Sequence, residues 1–423
     1  MARPPVRHLR WWMIGMICLV TVINYIDRQT LSVLAPTIMD EFKMSNVEYS
    51  RVVTTFLAAY TISQALSGRI IDRIGVRRGF MLFVGIWTIA SMLHSTARSA
   101  VQLAAFRFLL GLGEAGNWPG AAKAVSEWFP MKERALGMAI FNSGAVIGAV
   151  IAPPLIAWVA LSFGWRYAFF IGASLSVVLM ALWYRFYQSP AQHARLSDDE
   201  RAYILSDQPV ATGVPPRPWR ELFGYRQTWA VLTARFFTDP IWWFLIAWLP
   251  TYLKNARGFS LSLIGLLAWI PFLLADMGSL TGGFVSGRLI RQGWSVDRAR
   301  KTVLLGTIAL IPTGVLLLMN TTSDAAALVA IGAIAFGFQG WIVNIQTLPS
   351  DCFPRQDVGG VAGLGGAAAG LASMGFTLLV GWVVDHYSYQ PVFLMVAAMA
   401  LIGVSGWWLI MRRIEPVDRV ARA

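Results

Sequence analysis

Charge is what this chain has least of. Asp, Glu, Lys and Arg make up 13% of its 423 residues, against about 25% in soluble domains. That deficit excludes an ordinary water-soluble globule. Cysteine is almost absent as well. Cys18 sits in an apolar run and Cys352 beside a loop, so no disulfide framework is expected. No nucleophile–base spacing, metal-ligand cluster or phosphate-cradling loop appears, so no enzyme, cofactor or metal site is expected. Acidic residues are scarcer than basic ones, 22 against 35, for a net charge of +13. In a soluble protein that excess would suggest nucleic acid. Here the placing of the charges argues for a membrane device and against a nucleic-acid partner.

What is present is apolar length. The chain is 56% hydrophobic, with 19 Trp, 24 Phe and 38 Gly. About 20 apolar residues cross a bilayer core, and twelve such runs are expected, at 11–38, 47–71, 79–97, 100–122, 134–160, 165–187, 228–253, 261–287, 302–320, 324–349, 357–384 and 390–411. The first is too long and too charged for a cleavable signal peptide. One long polar interruption, 188–227, carries Pro190, Pro215, Pro216 and Pro218 and divides the runs six and six. Within it, Ser197-Asp198-Asp199-Glu200 reads as a capping box opening a surface helix. The expectation is an all-α polytopic membrane protein with twelve transmembrane helices in two pseudo-symmetric six-helix bundles. Residues 1–187 form the first bundle, 188–227 the linking loop and 228–423 the second bundle.

Lys and Arg choose the orientation. With the amino terminus inside, 26 basic residues fall on the inner side and six on the outer. Both termini and the 188–227 loop are therefore expected in the cytoplasm. The two halves also resemble each other. Phe129-Pro130, Trp158 and Phe169 recur at one constant offset as Phe353-Pro354, Trp382 and Phe393. Repeats of this kind build alternating-access transporters with a site near the midplane.

Against that apolar background, charges inside the runs carry information. One Asp or Arg at a helix centre costs at least about 2.5–3.5 kcal/mol, and Asp27 and Arg28 are adjacent. At about 100° per residue, Thr21, Asn24, Tyr25, Arg28 and Ser32 share one polar stripe, while Asp27 points to a neighbouring helix. Arg28, a fork that stays charged, suits an anion's carboxylate. Asp27 suits proton exchange, because burial disfavours its charge and a nearby cation favours it. The alternative is a structural charge pair. On the fourth run Arg107 and Glu114 lie two turns apart on one face. Arg107 is the expected partner of Asp27 and Glu114 a second proton carrier; the alternative is that both brace the helix. Tyr60 can hydrogen-bond a ligand or simply pack. Asn142, Ser143, Gln339, Asn344, Gln346 and Ser373 suit a polyhydroxylated ligand, and helix–helix hydrogen bonding explains each equally well. On the seventh run Arg235 and Asp239 can pair, Pro240 favours a bend, and the deep Trp242 and Trp243 suit the face of a sugar-like ring.

The loop after the second run reads Gly68-x-x-x-Asp72-Arg73-x-Gly75-x-Arg77-Arg78. Its glycines allow close helix approach, its Asp caps or pairs, and its arginines hold the turn. This pattern resembles the signature loop of the major facilitator superfamily, and the resemblance covers nearly the whole chain. Asp27-Arg28, Tyr60, Arg107 with Glu114, and Gly144-x-x-x-Gly148 followed by Pro153-Pro154 look like its anion:cation symporter branch. Thr238-Asp239-Pro240-Ile241-Trp242-Trp243 and Leu348-Pro349-Ser350-Asp351-Cys352-Phe353-Pro354 are most similar to bacterial hexuronate transporters.

The resemblance implies two bundles rocking around a central site and proton-coupled uptake of a sugar acid: a hexuronate such as galacturonate or glucuronate, or a related aldonate or aldarate. It implies that Asp27 and Glu114 carry protons with Arg107 beside them, and that Arg28 holds the substrate carboxylate. Asn24, Tyr25, Tyr60, Asn142, Trp242, Trp243, Gln339 and Asn344 are the remaining candidate contacts. The expected partners are a small organic anion and the lipid of a bacterial inner membrane, with the chain acting as a monomer and the proton, or alternatively sodium, as coupling ion. Competing readings are a transporter of aromatic or dicarboxylic acids and a transport-fold membrane sensor.

Overall fold

The computed structural model describes residues 6–130, 133–205 and 217–417; the side chains of Ala65, Asp72, Ala135 and Arg355 also lie outside the described set. Every regular element among the described residues is a helix. In order they are α1 (Leu9–Phe42), α2 (Asn46–His94), α3 (Ala100–Glu114), α4 (Asn117–Trp128), α5 (Arg134–Phe163), α6 (Trp165–Phe186), α7 (Asp198–Leu205), α8 (Trp219–Leu222), α9 (Arg226–Arg257), α10 (Leu261–Leu267), α11 (Ile270–Arg291), α12 (Val296–Ile308), α13 (Leu310–Asn320), α14 (Asp324–Cys352), α15 (Arg355–His386) and α16 (Tyr389–Met411). Among the described residues, ten stretches are long and apolar enough to cross a membrane. The all-α, multi-pass class expected from the sequence is the one found. The expected spans 47–71 and 100–122 are not among the ten: of α2 only Arg73–His94 is included, and 100–122 is divided at Ala115–Gly116 into helices of 15 and 12 residues.

Local chemistry explains many of the ends. Ser99, Ser260, Ser295 and Ser323 each stand at an N-cap and accept a backbone N–H from the first turn through the side-chain oxygen, which satisfies donors that have no intrahelical partner. Helix α2 breaks at Gly75, whose φ of 80° is outside the helical range. A residue with a Cβ is strained there, so the signature-loop glycine serves the turn itself. Pro240 lies within α9, which nevertheless runs unbroken from Arg226 to Arg257.

The chain forms two compact units, one of residues 1–43 and 55–213, the other of residues 44–54 and 214–423. In the first, α1 packs on α5, α6 and α4. Gly144 and Gly148 bring α5 onto α1: a Cβ at these positions would lie 2.4 Å from the Cys18 carbonyl oxygen and 2.6 Å from that of Val22. In the second, α9 packs on α14, α15 and α16, and α14 packs on α11, α12 and α13. Large apolar side chains such as Val101, Leu280 and Leu409 remain more than 70% exposed, which suits a lipid solvent.

The repeat read from the sequence has structural counterparts. Phe129 and Phe353 are both buried, and both end a helix in extended backbone with the N–H returned to the residue four before. Each meets an aromatic ring edge-on, Trp11 at 5.2 Å and Tyr225 at 5.7 Å. Phe169 and Phe393 are buried among rings, while Trp158 and Trp382 are exposed.

The capping box is half used. Ser197 Oγ accepts the Glu200 N–H at 3.3 Å, but the Glu200 carboxylate turns to the start of α1, accepting from the Leu9 and Arg10 N–H groups and the Arg10 guanidinium at 2.8–3.3 Å. A carboxylate at a helix N-terminus meets both orphan donors and the positive end of the dipole. Tyr203 and Arg10 both reach Glu133, so α7 is fastened to the first unit.

Candidate functional site

In the first unit, α1 and α3 bring together four buried charges, Asp27, Arg28, Arg107 and Glu114. Arg28 is 6% exposed and Glu114 fully enclosed. Both Arg28 Nε and Nη2 lie 2.8 Å from Glu114 Oε2. The guanidinium also stands over three rings, with centroids 5.2 Å (Tyr25), 5.6 Å (Phe56) and 5.1 Å (Tyr60) away. Tyr25, Asn24 and Arg28 are on one face of α1, as the 100° periodicity requires, and Asn24 Oδ1 accepts weakly from Arg28 Nη2 at 3.5 Å. Glu114 Oε1 and Asn24 Nδ2 are buried with no partner among the described residues. The site therefore holds a charge pair with acceptor and donor capacity left over, which is costly unless something else uses it.

Asp27, one residue earlier, turns to α2 and α6. Its Oδ1 accepts from Ser91 Oγ at 3.1 Å and its Oδ2 from Ser176 Oγ at 3.4 Å. Trp87 Nε1 donates to the same Ser176 hydroxyl at 3.2 Å. Gly172 makes this possible, since a Cβ there would lie 2.4 Å from Asp27 Oδ1. The expected ion pair between Asp27 and Arg107 is not formed. Arg107 instead donates from Nη2 to the Arg28 carbonyl at 3.3 Å and stands over the Phe56 ring. The reason is rotational: the 100° step separating Asp27 from Arg28 carries the carboxylate past α3 to the α2–α6 side. Just beyond Glu114 the helix breaks, and Asn117 Nδ2 donates to Thr21 Oγ1 at 3.2 Å.

The other expected positions of this unit fall as follows. Tyr60 is buried against Phe56, with centroids 5.7 Å apart. Asn142 is exposed on α5. Around the turn at Gly75, Gly68 lies 3.7 Å from the Pro119 side chain by its virtual Cβ. Arg77 donates to the Tyr184 carbonyl and covers its ring at 4.9 Å. Arg73 and Arg78 are exposed, and the Asp72 side chain lies outside the described residues.

In the second unit, Arg235 and Asp239 pair as their spacing suggests, through Nε at 3.1 Å and Nη2 at 2.7 Å. Trp242, half-buried, stacks on Phe338 at 5.7 Å and 9° and meets Phe272 edge-on at 5.9 Å. Trp243 and Gln339 are half-buried. Asn344 is enclosed, and both ends of its amide are engaged: Oδ1 accepts from Arg300 Nη1 at 3.0 Å and Nδ2 donates to the Gly340 carbonyl at 3.0 Å. Arg300 also binds Asp351 Oδ2 and Ser286 Oγ. This geometry makes Asn344 part of a brace for Arg300.

Sequence reasoning missed Ser91, Ser176, Trp87 and the Arg300–Asp351–Ser286 set. Nothing marks a single Ser in an apolar run, and Arg300 reads as one of many basic loop residues. Among the described residues no cluster suited to a metal ion occurs.

Comparison with known proteins identifies the family. The chain matches the model of the Major Facilitator Superfamily over residues 17–343 and 293–423. It is 35% identical over 422 residues to the hexuronate transporter of Escherichia coli (strain K12), covering 99% of this chain and 97% of that one. It is 35% identical over 336 residues to the galacturonate transporter of Dickeya chrysanthemi, covering 78% of this chain and 97% of the relative. In fold it resembles a bacterial homologue of the human lysosomal transporter Spinster, at TM-score 0.73, 17% identity and coverage of 96% and 97%. The D-xylose–proton symporter gives TM-score 0.73, 15% identity and coverage of 93% and 96%. The full-length match, the two helical units and the membrane-length helices together place this chain in the Major Facilitator Superfamily.

Proposed function

We propose that this protein imports a hexuronate, galacturonate or glucuronate, across a bacterial cytoplasmic membrane by proton symport with alternating access. The observation that carries the reading is the Arg28–Glu114 pair, enclosed by three aromatic rings one residue from the serine-held Asp27. The 35% identity to hexuronate and galacturonate transporters supports the substrate class. The excess of basic residues on one side supports both termini facing the cytoplasm, and a single chain carries the whole transport unit.

The geometry suggests how anion and proton are coupled. Glu114 occupies the fork of Arg28. A proton on Glu114 abolishes its charge and releases the guanidinium, whose rigid donors match another carboxylate. The substrate's carboxylate then takes the place of Glu114, and an unpaired buried cation is avoided in both states. Asp27 provides a second proton site, its ionised form held by two hydroxyls, and Arg107 braces the backbone between the two acids. Two protons with a monoanion move net positive charge inward, which a membrane potential drives at about 2.3 kcal/mol per charge per 100 mV.

The test is binding to the purified protein, by calorimetry, across hexuronates, aldonates, aldarates, and aromatic and dicarboxylic acids. A hexuronate binding tighter than all other classes supports the reading. Preference for an aromatic or simple dicarboxylic acid overturns it.

A further inference from the structure

The second unit carries a carboxylate outside the Arg235–Asp239 and Arg300–Asp351 pairs. Asp276 lies at the centre of the membrane-length stretch Leu261–Arg291. It is half-buried on α11, and no described residue gives it a hydrogen bond or an ion pair. An acid at that depth without a partner is costly, and intramembrane ionisable residues mark ligand or ion paths.

Its surroundings suit a ligand. Phe272, Asp276, Ser279 and Gly283 recur at spacings of four, three and four, so they share one face of α11. Phe272 meets Trp242 edge-on, and Trp242 lies flat on Phe338. Two turns from the carboxylate, a Cβ added at Gly283 would meet no atom within 4 Å. The face thus carries an aromatic shelf, an acceptor-only carboxylate, a hydroxyl and open room. A neutral hydroxyl donates well to a carboxylate, and apolar ring faces pack on aromatic ones.

We propose that Asp276 is a specificity-determining residue of the second unit, accepting hydrogen bonds from hydroxyl groups of a polyhydroxylated acid that lies against the Trp242–Phe272 shelf. The assignment rests on the sugar-acid reading above and adds which residue recognises the hydroxyls. By counting hydroxyls rather than charge, Asp276 discriminates among acids of equal charge.

The experiment is calorimetric binding of galacturonate, glucuronate and the monodeoxy galacturonates to wild type, Asp276→Ala and Asp276→Asn, with gel filtration and melting curves as checks of folding. Asp276→Ala should bind galacturonate at least tenfold more weakly. At least one monodeoxy analogue should bind wild type at least tenfold more weakly than galacturonate does, yet bind the variant as well as galacturonate does. Asp276→Asn should show the same loss of discrimination with a smaller fall in affinity, and it decides the matter if the Ala variant does not fold. Wild-type affinity in both variants overturns the assignment. So does an equal loss for every analogue, or intact binding with loss of pH-driven accumulation alone, which would make Asp276 a proton site. If wild type binds no hexuronate, the sugar-acid reading itself falls and this assignment with it.

Discussion

Arg28 and Glu114, 86 residues apart in sequence, meet at 2.8 Å through two nitrogens and one oxygen. The pair joins α1 to the last turn of α3, next to the point where that helix breaks. Substituting one member leaves the other charge enclosed, which typically costs about 3–5 kcal/mol. Substituting both costs less. Melting curves of Arg28→Ala, Glu114→Ala and the double variant should therefore show a coupling of about 1–3 kcal/mol. Additive losses would mean that the pair does not act as a unit.

Arg28→Lys keeps the charge but loses Nε and the planar fork that lies among Tyr25, Phe56 and Tyr60. Hexuronate affinity should fall at least tenfold, about 1.4 kcal/mol, in a calorimetric titration. Unchanged affinity would remove Arg28 from the binding site.

Gly172→Ala places a methyl group where the Asp27 carboxylate sits. Overpacking of this kind costs about 1–3 kcal/mol, and the displaced carboxylate should lose its Ser91 and Ser176 partners. The prediction is a lower melting temperature together with impaired pH-driven accumulation. Gly15→Ala is the control, since a Cβ there meets nothing within 4 Å, and it should be neutral in both measurements.

Asn344 illustrates where reading the sequence stops. An amide in an apolar run suggests a ligand contact, but the partner that occupies it, Arg300, looks in sequence like one of many basic residues flanking a span. By contrast Asp27 and Arg28 were legible because charge in a bilayer has few reasons to be there. Their different directions followed from the helical period alone. The period could not say which helix stood on the Asp27 side, so Ser91 and Ser176 displaced the expected Arg107. The helices themselves were legible from apolar length, and Gly75 from the chemistry of its turn. Asn344→Ala should lower stability by about 1–3 kcal/mol by leaving an Arg300 donor short of an acceptor, with hexuronate affinity within threefold of wild type. A tenfold loss of affinity at unchanged stability would restore it to the binding site.

His193, in the linking loop, packs edge-on against Trp128 at 5.7 Å, and its Nδ1 accepts the Arg195 N–H at 3.2 Å. Burial, with Arg195 and Arg201 nearby, holds its imidazole below the ordinary value of 6.5. The folded state thus favours the neutral ring. The stabilisation is fully present above pH 6.5 and is lost as the pH falls below it through the folded value. In melting temperatures measured across that acid range, His193→Gln should show a shallower decline than wild type. Parallel curves would show that His193 docking does not respond to pH.

The central claim is that Glu114 and Asp27 link proton movement to anion movement through Arg28. Its most direct measurement is galacturonate uptake into proteoliposomes under an imposed pH gradient, alongside equilibrium exchange with no gradient. Wild type should accumulate substrate with the pH gradient and should not respond when a sodium gradient replaces it. Asp27→Asn and Glu114→Gln should lose accumulation, and at least one should retain exchange. Full pH-driven accumulation by both variants, or accumulation driven by sodium alone, would contradict the account.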